Sequence, residues 1–180
     1  MWSCYINDTT TACGLDQLKL IEERDISVQL PCEDDNFLHQ IPCKTEGLLA
    51  RGFLNPSEDM SKSSESEATL GYRSVLIRVY AVSARILRYL KRYEQEEYPW
   101  RSSSEFSLLL SALEHLRNSL PSSLQFIPEN IYISKEKSVL SPLIFLYWHT
   151  INDLFRIILP VMQIPNSCLY GRISRLPDRS

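Results

Sequence analysis

The longest regular pattern in the chain runs from Leu70 to Tyr93 and has the period of a helix. At about 100° per residue, its apolar side chains share one broad arc. That arc consists of Val75, Leu76, Val79, Val82, Ile86, Leu87 and Leu90. The opposite arc is basic and consists of Arg73, Arg78, Arg85, Arg88, Lys91 and Arg92. The pattern predicts an amphipathic helix with one buried side and one charged side.

An earlier helix is predicted to begin at Trp2 and to end at Gly14. Its predicted buried face consists of Trp2, Ile6, Thr9 and Cys13. No Ser, Asp or Asn precedes Trp2 to cap the helix, and natural domains seldom begin inside a helix. We therefore expect the chain to be truncated, with helices that pack against Trp2 and Tyr5 lying upstream.

Two more helices follow the basic one. Ser102 with Glu105 three residues later is typical of a capping box, so a helix is expected to begin there and to close at Pro121. Its predicted buried face consists of Phe106, Leu109, Leu110, Leu113, Leu116 and Leu120. A last helix is expected to begin at Ser141, with Pro142 in its first turn, and to end before Pro160. Because it is apolar nearly all round, it is predicted to be central.

The remaining segments predict no sheet. Asp25 to Leu30 alternates polar and apolar residues and is expected to be extended. Residues 55–69, rich in serine and acidic side chains, are predicted to form a flexible surface loop. Residues 161–180 form an unassigned tail. The predicted fold class is therefore all-α: an irregular multi-helix domain that forms the C-terminal portion of a larger helical domain.

Composition narrows the class of protein. The chain has 180 residues, is 44% hydrophobic and carries a formal net charge of -3, which argues against wholesale disorder and against whole-surface attraction to nucleic acid. Its five cysteines are odd in number and never in a C-x-x-C pair, as expected for free thiols in a reducing compartment. The start of the chain lacks the pattern of a secretory signal.

No catalytic motif is present in the sequence. None of the five glycines lies two or three residues from another, so phosphate-loop and dinucleotide fingerprints are absent, as are G-x-S-x-G and H-E-x-x-H. The chain is therefore predicted not to be an enzyme. No catalytic, cofactor-binding or metal-binding residue is assigned.

His149 and Asp153, at positions i and i+4 of the last predicted helix, were the strongest candidates for a site, with Arg156 beside them. Two ligands do not make a zinc site, which normally needs three from the protein. We expect a structural polar stripe whose members satisfy each other. A functional site is the less favoured alternative.

The basic arc admits contact with nucleic acid, an anionic membrane or a calmodulin-type partner. A solvated face paired with acidic loops is favoured, because Glu94, Glu96 and Glu97 are adjacent and the chain is acidic. Any binding to duplex DNA by residues 78–92 is expected to be weak and sensitive to salt. The apolar residues 143–159 are too few, at about 26 Å, for a typical membrane span.

Three stretches of sequence carry a family resemblance. These are W-S-C-Y-I-N-D at Trp2–Asp8, E-R-D-I-S-V-Q-L-P-C-E-D-D-N-F at Glu23–Phe37, and L-Y-W-H-T-I-N-D-L-F-R-I-I-L-P at Leu146–Pro160. Together they resemble the regulatory middle homology region of fungal binuclear-zinc-cluster transcription factors. The resemblance covers residues 1–160.

The resemblance implies an all-helical regulatory domain of a nuclear protein that controls transcription by RNA polymerase II. The family's six-cysteine cluster, which binds two zinc ions and reads DNA, is absent from these 180 residues, so no cofactor is expected here and DNA is expected to be bound only through an absent domain. The expected partners are the transcription machinery or missing parts of the same protein, with a homodimer possible and no membrane. The alternatives are a helical small-molecule sensing or protein-interaction module without DNA binding, and, less favoured, a helical enzyme fragment.

Overall fold

The computed structural model describes residues 1–49, 71–92, 101–102, 104–133 and 137–156. Within these ranges the chain forms α-helices and short 3-10 helices, and no strand. The α-helices are α1 (Trp2–Ala12), α2 (Asp34–Leu38), α3 (Tyr72–Arg92), α4 (Glu105–Asn118), α5 (Pro128–Ile133) and α6 (Lys137–Phe155). The predicted all-α fold class is confirmed.

The central element is α3, which packs against α1, α4 and α6. One side of it enters the larger core, together with apolar side chains of α4 and α6; its fully buried contributors are Val75, Val79, Val82, Ile86 and Tyr89. Another side enters a smaller core, where Ile77 and Ala81 meet Tyr5, Leu30 and Leu48. The predicted apolar arc is therefore correct but incomplete, because α3 is buried on two sides.

The prediction that the last helix is central is wrong. Only one face of α6 is buried, through residues such as Leu143, Tyr147 and Leu154, whereas Phe145 is 71% exposed and Trp148 is 47% exposed. The predicted start at Ser141 is also wrong, because α6 begins at Lys137 and Pro142 lies inside it. Apolar composition alone did not distinguish a buried helix from one that keeps an uncovered apolar side.

The first helix, α1, ends just before Gly14, as predicted. Its buried face, however, is rotated about the helix axis from the predicted one. Tyr5, Thr9 and Ala12 are buried, whereas Cys13 is exposed. Cys13 and Gly14 both have positive φ, at 47° and 78°, as is usual at a left-handed helix end. As the sequence indicated, no side chain caps the start of α1.

The helix α4 matches its predicted buried face but not its predicted cap. Its N-cap is Ser104, whose side-chain oxygen accepts a hydrogen bond from the Ser107 N–H at 3.1 Å, so the predicted cap at Ser102 is wrong. Several serines precede the helix, and the sequence alone did not select among them. Of the predicted face, Leu110 is half-buried and the other five are buried.

The predicted extended segment Asp25–Leu30 is correct only in part, because Asp25 belongs to the 3-10 helix Glu23–Asp25 and Val28 to a bend, while the residues after Asp25 lie outside any helix. Ile26 has extended backbone angles, and the Leu30 N–H donates to the Glu46 carbonyl at 2.9 Å. The two stretches therefore pass beside each other under α3. The predictions for residues 55–69 and 161–180 lie outside the described residues.

We expect Gly14→Ala to lower the free energy of unfolding by about 2–3 kcal/mol, measured by urea denaturation. An added Cβ would lie 2.6 Å from the carbonyl carbon of Leu87, and the φ of +78° is unfavourable for alanine. The helix end would have to move away from α3.

Gly47→Ala is the matched control, because an added Cβ there meets no atom within 4 Å. It is expected to leave the denaturation midpoint nearly unchanged. Equal midpoints for the two variants would contradict the close approach of the α1 end to α3.

Candidate functional site

Three arginines on the charged side of α3 face the first 49 residues of the chain. Arg78 is 4% exposed, and Arg85 and Arg88 have side chains only 29% and 22% exposed. The predicted pairing with acidic residues is present, and the prediction of a solvated face is correct for Arg73 and Lys91 but wrong for these three arginines. Glu94, Glu96 and Glu97, the acidic residues named for this role, lie outside the described residues.

The main contact is a cluster around Glu23, which the 3-10 helix Glu23–Asp25 places against α3. One carboxylate oxygen, Oε2, accepts from Arg85 at 3.2 Å, and the other, Oε1, contacts Arg88 at 3.4 Å. Lys19 Nζ lies 3.3 Å from Oε1, and the Tyr5 hydroxyl donates to the same oxygen at 3.4 Å. Three cations therefore surround a carboxylate whose side chain is 8% exposed.

The surroundings change the ionisation of two groups in this Glu23 cluster. Burial alone would raise the pKa of Glu23, but the positive charges of Lys19, Arg85 and Arg88 outweigh burial and hold that pKa below its usual value. Burial and the negative charge of Glu23 both raise the pKa of Tyr5. At neutral pH the cluster consists of an ionised carboxylate and a protonated phenol.

Two more ion pairs join the same parts of the chain. Arg78 contacts Glu46 at 2.9 Å, and both side chains are largely buried, at 4% and 14% exposure. Arg73 contacts Asp34 at 3.1 Å, but these side chains are 60% and 57% exposed. Loss of one partner costs more stability in a buried ion pair than in an exposed one. The stability of the fold therefore depends more on the pair of Arg78 and Glu46 than on the pair of Arg73 and Asp34.

A cavity of about 590 Å³ opens beside the Glu23 cluster. Its lining combines three carboxylates and three guanidinium groups with one apolar side chain: Glu22, Glu23, Glu105, Arg24, Arg85, Arg88 and Leu49. Among the described residues of this lining, the formal charges cancel. Such a cavity matches a small ligand that carries both signs of charge better than a simple anion.

The polar stripe predicted on the last helix does come together. His149 Nδ1 lies 3.2 Å from one oxygen of Asp153, and Arg156 lies 3.4 Å from the other. His149 and Arg156 are 58% and 75% exposed, so the stripe lies on the outer surface of α6 and not around the cavity. The contacts among these side chains are those of the structural stripe that the sequence favoured.

An apolar surface lies on the same helix. Phe145 and Trp148 are largely exposed on α6, and Phe155 is 42% exposed at its end. Phe155 packs edge-on against Phe106 and Trp148 packs edge-on against Tyr147, but each ring keeps a large exposed fraction. Exposed aromatic side chains that lie close together are typical of surfaces that contact another protein.

Neither a metal site nor a membrane span emerges from the described residues. Among the residues that the structure describes, no three His, Cys, Asp or Glu side chains are grouped so that they could hold a metal ion. In the same part of the chain, no helix combines the length and apolarity needed to cross a bilayer.

Comparison with known proteins finds relatives that are named Zn(2)-C6 fungal-type transcription factors. The resemblance to binuclear-zinc-cluster transcription factors predicted from the sequence is confirmed, since relatives of this class align over most of the chain. No family model matches the chain. No solved structure matches it.

Particular relatives come from two fungi. The chain is 29% identical over 152 residues, 83% of its length, to the Zn(2)-C6 fungal-type transcription factor FTF1c of Fusarium oxysporum. It is 28% identical over 161 residues, 86% of its length, to an uncharacterized transcriptional regulatory protein of Schizosaccharomyces pombe. The chain spans about 16% of the length of each of these curated relatives.

Sequence reasoning missed the Glu23 cluster, although Glu23 begins one of the stretches that carries the resemblance. A usable signal was present. Arg78, Arg85 and Arg88 recur at helical spacing on a helix whose other residues are strongly apolar, and Lys19 precedes Glu23 by four residues. Arginines on such a helix indicate a carboxylate partner elsewhere, but not which one.

We expect Glu23→Gln to lower the free energy of unfolding by about 2–3 kcal/mol, because three cations would then share a neutral partner in a largely buried place. Urea denaturation at neutral pH measures this change. Asp34→Asn, which breaks the exposed pair with Arg73, is the control and should cost no more than about 0.5 kcal/mol. A loss no larger in Glu23→Gln than in the control would contradict the role of the cluster.

The same variant isolates the acid sensitivity of the cluster. The folded-state pKa of Glu23 is lowered, so its contribution to stability is present above the unfolded-state pKa and is lost as the pH falls through the folded-state value. Below about pH 5, the unfolding free energy of the unmodified chain should therefore fall more steeply than that of Glu23→Gln. Parallel curves would contradict the lowered pKa.

Proposed function

We propose that this chain is a regulatory domain of a fungal transcription regulator that acts on RNA polymerase II transcription in the nucleus. The single observation that carries the proposal is the alignment of more than four fifths of the chain with proteins named as transcription factors or transcriptional regulators. Those names point to regulation and away from catalysis. The absence of any catalytic motif in the sequence supports the same assignment.

In this proposal the chain acts through protein contact, and DNA is recognised by a zinc cluster located outside these 180 residues. The arginines of α3 support this division, because Arg78, Arg85 and Arg88 each contact a carboxylate and offer little free positive charge to phosphates. The exposed Phe145 and Trp148 of α6 are the side chains best suited to bind an apolar surface of a protein of the transcription machinery.

The test is to fuse the chain to a heterologous DNA-binding domain in a fungal host and to measure transcription of a reporter gene. We expect reporter output to differ from that of the DNA-binding domain alone. Combined Phe145→Ser and Trp148→Ser should return the output to that baseline, since loss of an aromatic contact of about 2 kcal/mol weakens binding about thirtyfold.

Phe37→Ser is the matched control, because Phe37 is also 71% exposed but lies on α2. It should keep the output of the unmodified chain, with protein levels of all fusions compared on the same blot. An unchanged reporter with the folded, unmodified chain would contradict a regulatory role. Equal effects of the α6 and α2 variants would contradict the assignment of the surface.

A second candidate function, small-molecule sensing, is favoured by the cavity beside Glu23. Its lining suits a small zwitterion such as an amino acid, with the ligand carboxylate at Arg24 and its ammonium at Glu22 or Glu105. The notion that His149 anchors an effector gains no support, because His149 is exposed and does not line this cavity.

Thermal unfolding in the presence of single amino acids tests the sensing function. A ligand present at about ten times its Kd should add about 1.4 kcal/mol and raise the Tm by about 3–6 °C. Arg24→Gln should remove this increase relative to its own ligand-free Tm. If no amino acid raises the Tm above that in sodium chloride of the same ionic strength, the sensing function is contradicted and the regulatory role is unaffected.

A further inference from the structure

Two stretches of backbone run in opposite directions on either side of α2. The Leu30 N–H donates to the Glu46 carbonyl at 2.9 Å, and the Thr45 hydroxyl donates to the Leu30 carbonyl. Cys32 lies two residues beyond Leu30, and Cys43 lies three residues before Glu46. The antiparallel passage therefore brings the two cysteines towards each other.

The loop between the two cysteines is shaped to keep them together. It contains the short helix α2 and then reverses at Gln40, whose φ is 55°. The Ile41 N–H closes the reversal by donating to the Asn36 carbonyl at 2.9 Å. Pro31 and Pro42, one before each cysteine, restrict the backbone on both sides of the loop.

The backbone pairing of Leu30 with Glu46 sets the two thiols near each other. Partial desolvation and a hydrogen bond with the Cys32 thiol raise the pKa of Cys43. Both groups are free thiols, with Cys43 exposed and Cys32 half-buried. A small oxidant therefore has access to Cys43, and the sulfur of Cys32 is already beside it.

The other two described cysteines have no such arrangement. Cys4 and Cys13 are exposed at opposite ends of α1, about 13 Å apart at helical rise, which is too far for a disulfide. The Cys13 thiol donates to the Thr10 carbonyl at 3.0 Å. These two residues provide controls of the same chemistry without a facing thiol.

We propose that Cys32 and Cys43 are a redox-sensitive pair that forms an intramolecular disulfide in response to hydrogen peroxide. The Cys43 thiolate attacks the peroxide, the O–O bond breaks, and a sulfenic acid forms with release of water. The Cys32 thiolate then attacks the Cys43 sulfur, the S–OH bond breaks, and a second water leaves. Two thiols thus lose two electrons and two protons, and one peroxide is reduced to two waters.

The position of the pair gives the oxidation a structural consequence. The same segment supports the first turn of α3, where the Ser74 hydroxyl donates to the Pro31 carbonyl and Arg73 contacts Asp34. A Cβ on Gly71 would lie 2.9 Å from the Cα of Glu33, so the two backbones are in close contact. A disulfide would fix the loop that lies against the start of the central helix.

The test is mass spectrometry of the purified, full-length chain after treatment with hydrogen peroxide and blocking with a maleimide. Trypsin leaves both cysteines in one peptide, 25–44, because no Lys or Arg lies between Asp25 and Cys43. In the oxidised chain we expect this peptide to lack both maleimides and to be about 2 Da lighter than the reduced peptide. Cleavage after Glu33 should then give two fragments that separate only after reduction.

The controls test whether the cross-link requires the folded structure or only the short separation of the two cysteines along the chain. Cys32→Ser or Cys43→Ser should abolish the cross-link, whereas Cys4→Ser and Cys13→Ser should leave it unchanged. The native chain should form the cross-link about tenfold faster than the chain in urea, because the fold raises the effective concentration of one thiol at the other. The rate should also rise with pH, in keeping with the raised pKa of Cys43.

The proposal is overturned if peptide 25–44 keeps both maleimides under conditions that oxidise Cys4 or Cys13. It is equally overturned if Cys32 or Cys43 joins mainly to another cysteine or to a second chain, or if the native and urea-treated chains react at the same rate. None of these outcomes bears on the proposed role in transcription.

Discussion

The burial of α3 on two sides depends on the carboxylate of Glu23. A helix that carries Arg85 and Arg88 next to Ile77 and Ala81 can be covered on that side only if an anion meets the guanidinium groups. The Glu23 carboxylate is also the partner of Lys19. One side chain therefore joins α3 to the residues that precede Glu23 in the chain. The smaller core and the cavity both lie next to this contact between Glu23 and α3.

The sequence predicted the features that follow from periodicity and missed those that depend on distant partners. The buried face of α4 and the apolar arc of α3 repeat at helical spacing, and both are present. Glu23 and Arg85 are 62 positions apart in the sequence, so no periodic pattern predicts their pairing. The facing of Cys32 and Cys43 depends in the same way on the backbone contact between Leu30 and Glu46.

Two errors of prediction share a physical origin. The charged side of α3 was expected to be solvated and the apolar α6 to be central, because polarity was taken as a measure of exposure. In the structure, charges that neutralise each other are buried at Arg78 and Glu46, while Phe145 and Trp148 remain exposed. In a domain that acts by contact, an apolar helix has a second use besides packing, and composition does not distinguish the two.

The long separation between Glu23 and Arg85 also bears on how the chain folds. Contacts among α3, α4 and α6 form one core, whereas residues 1–49 are separated from α3 by a longer stretch of sequence than the one between α3 and α4. Closing the longer stretch costs more chain entropy, so the N-terminal segment is expected to dock after the other helices have collapsed. The same segment would then be the first to detach in partial opening, and its amides would exchange with solvent deuterium sooner than those of the larger core.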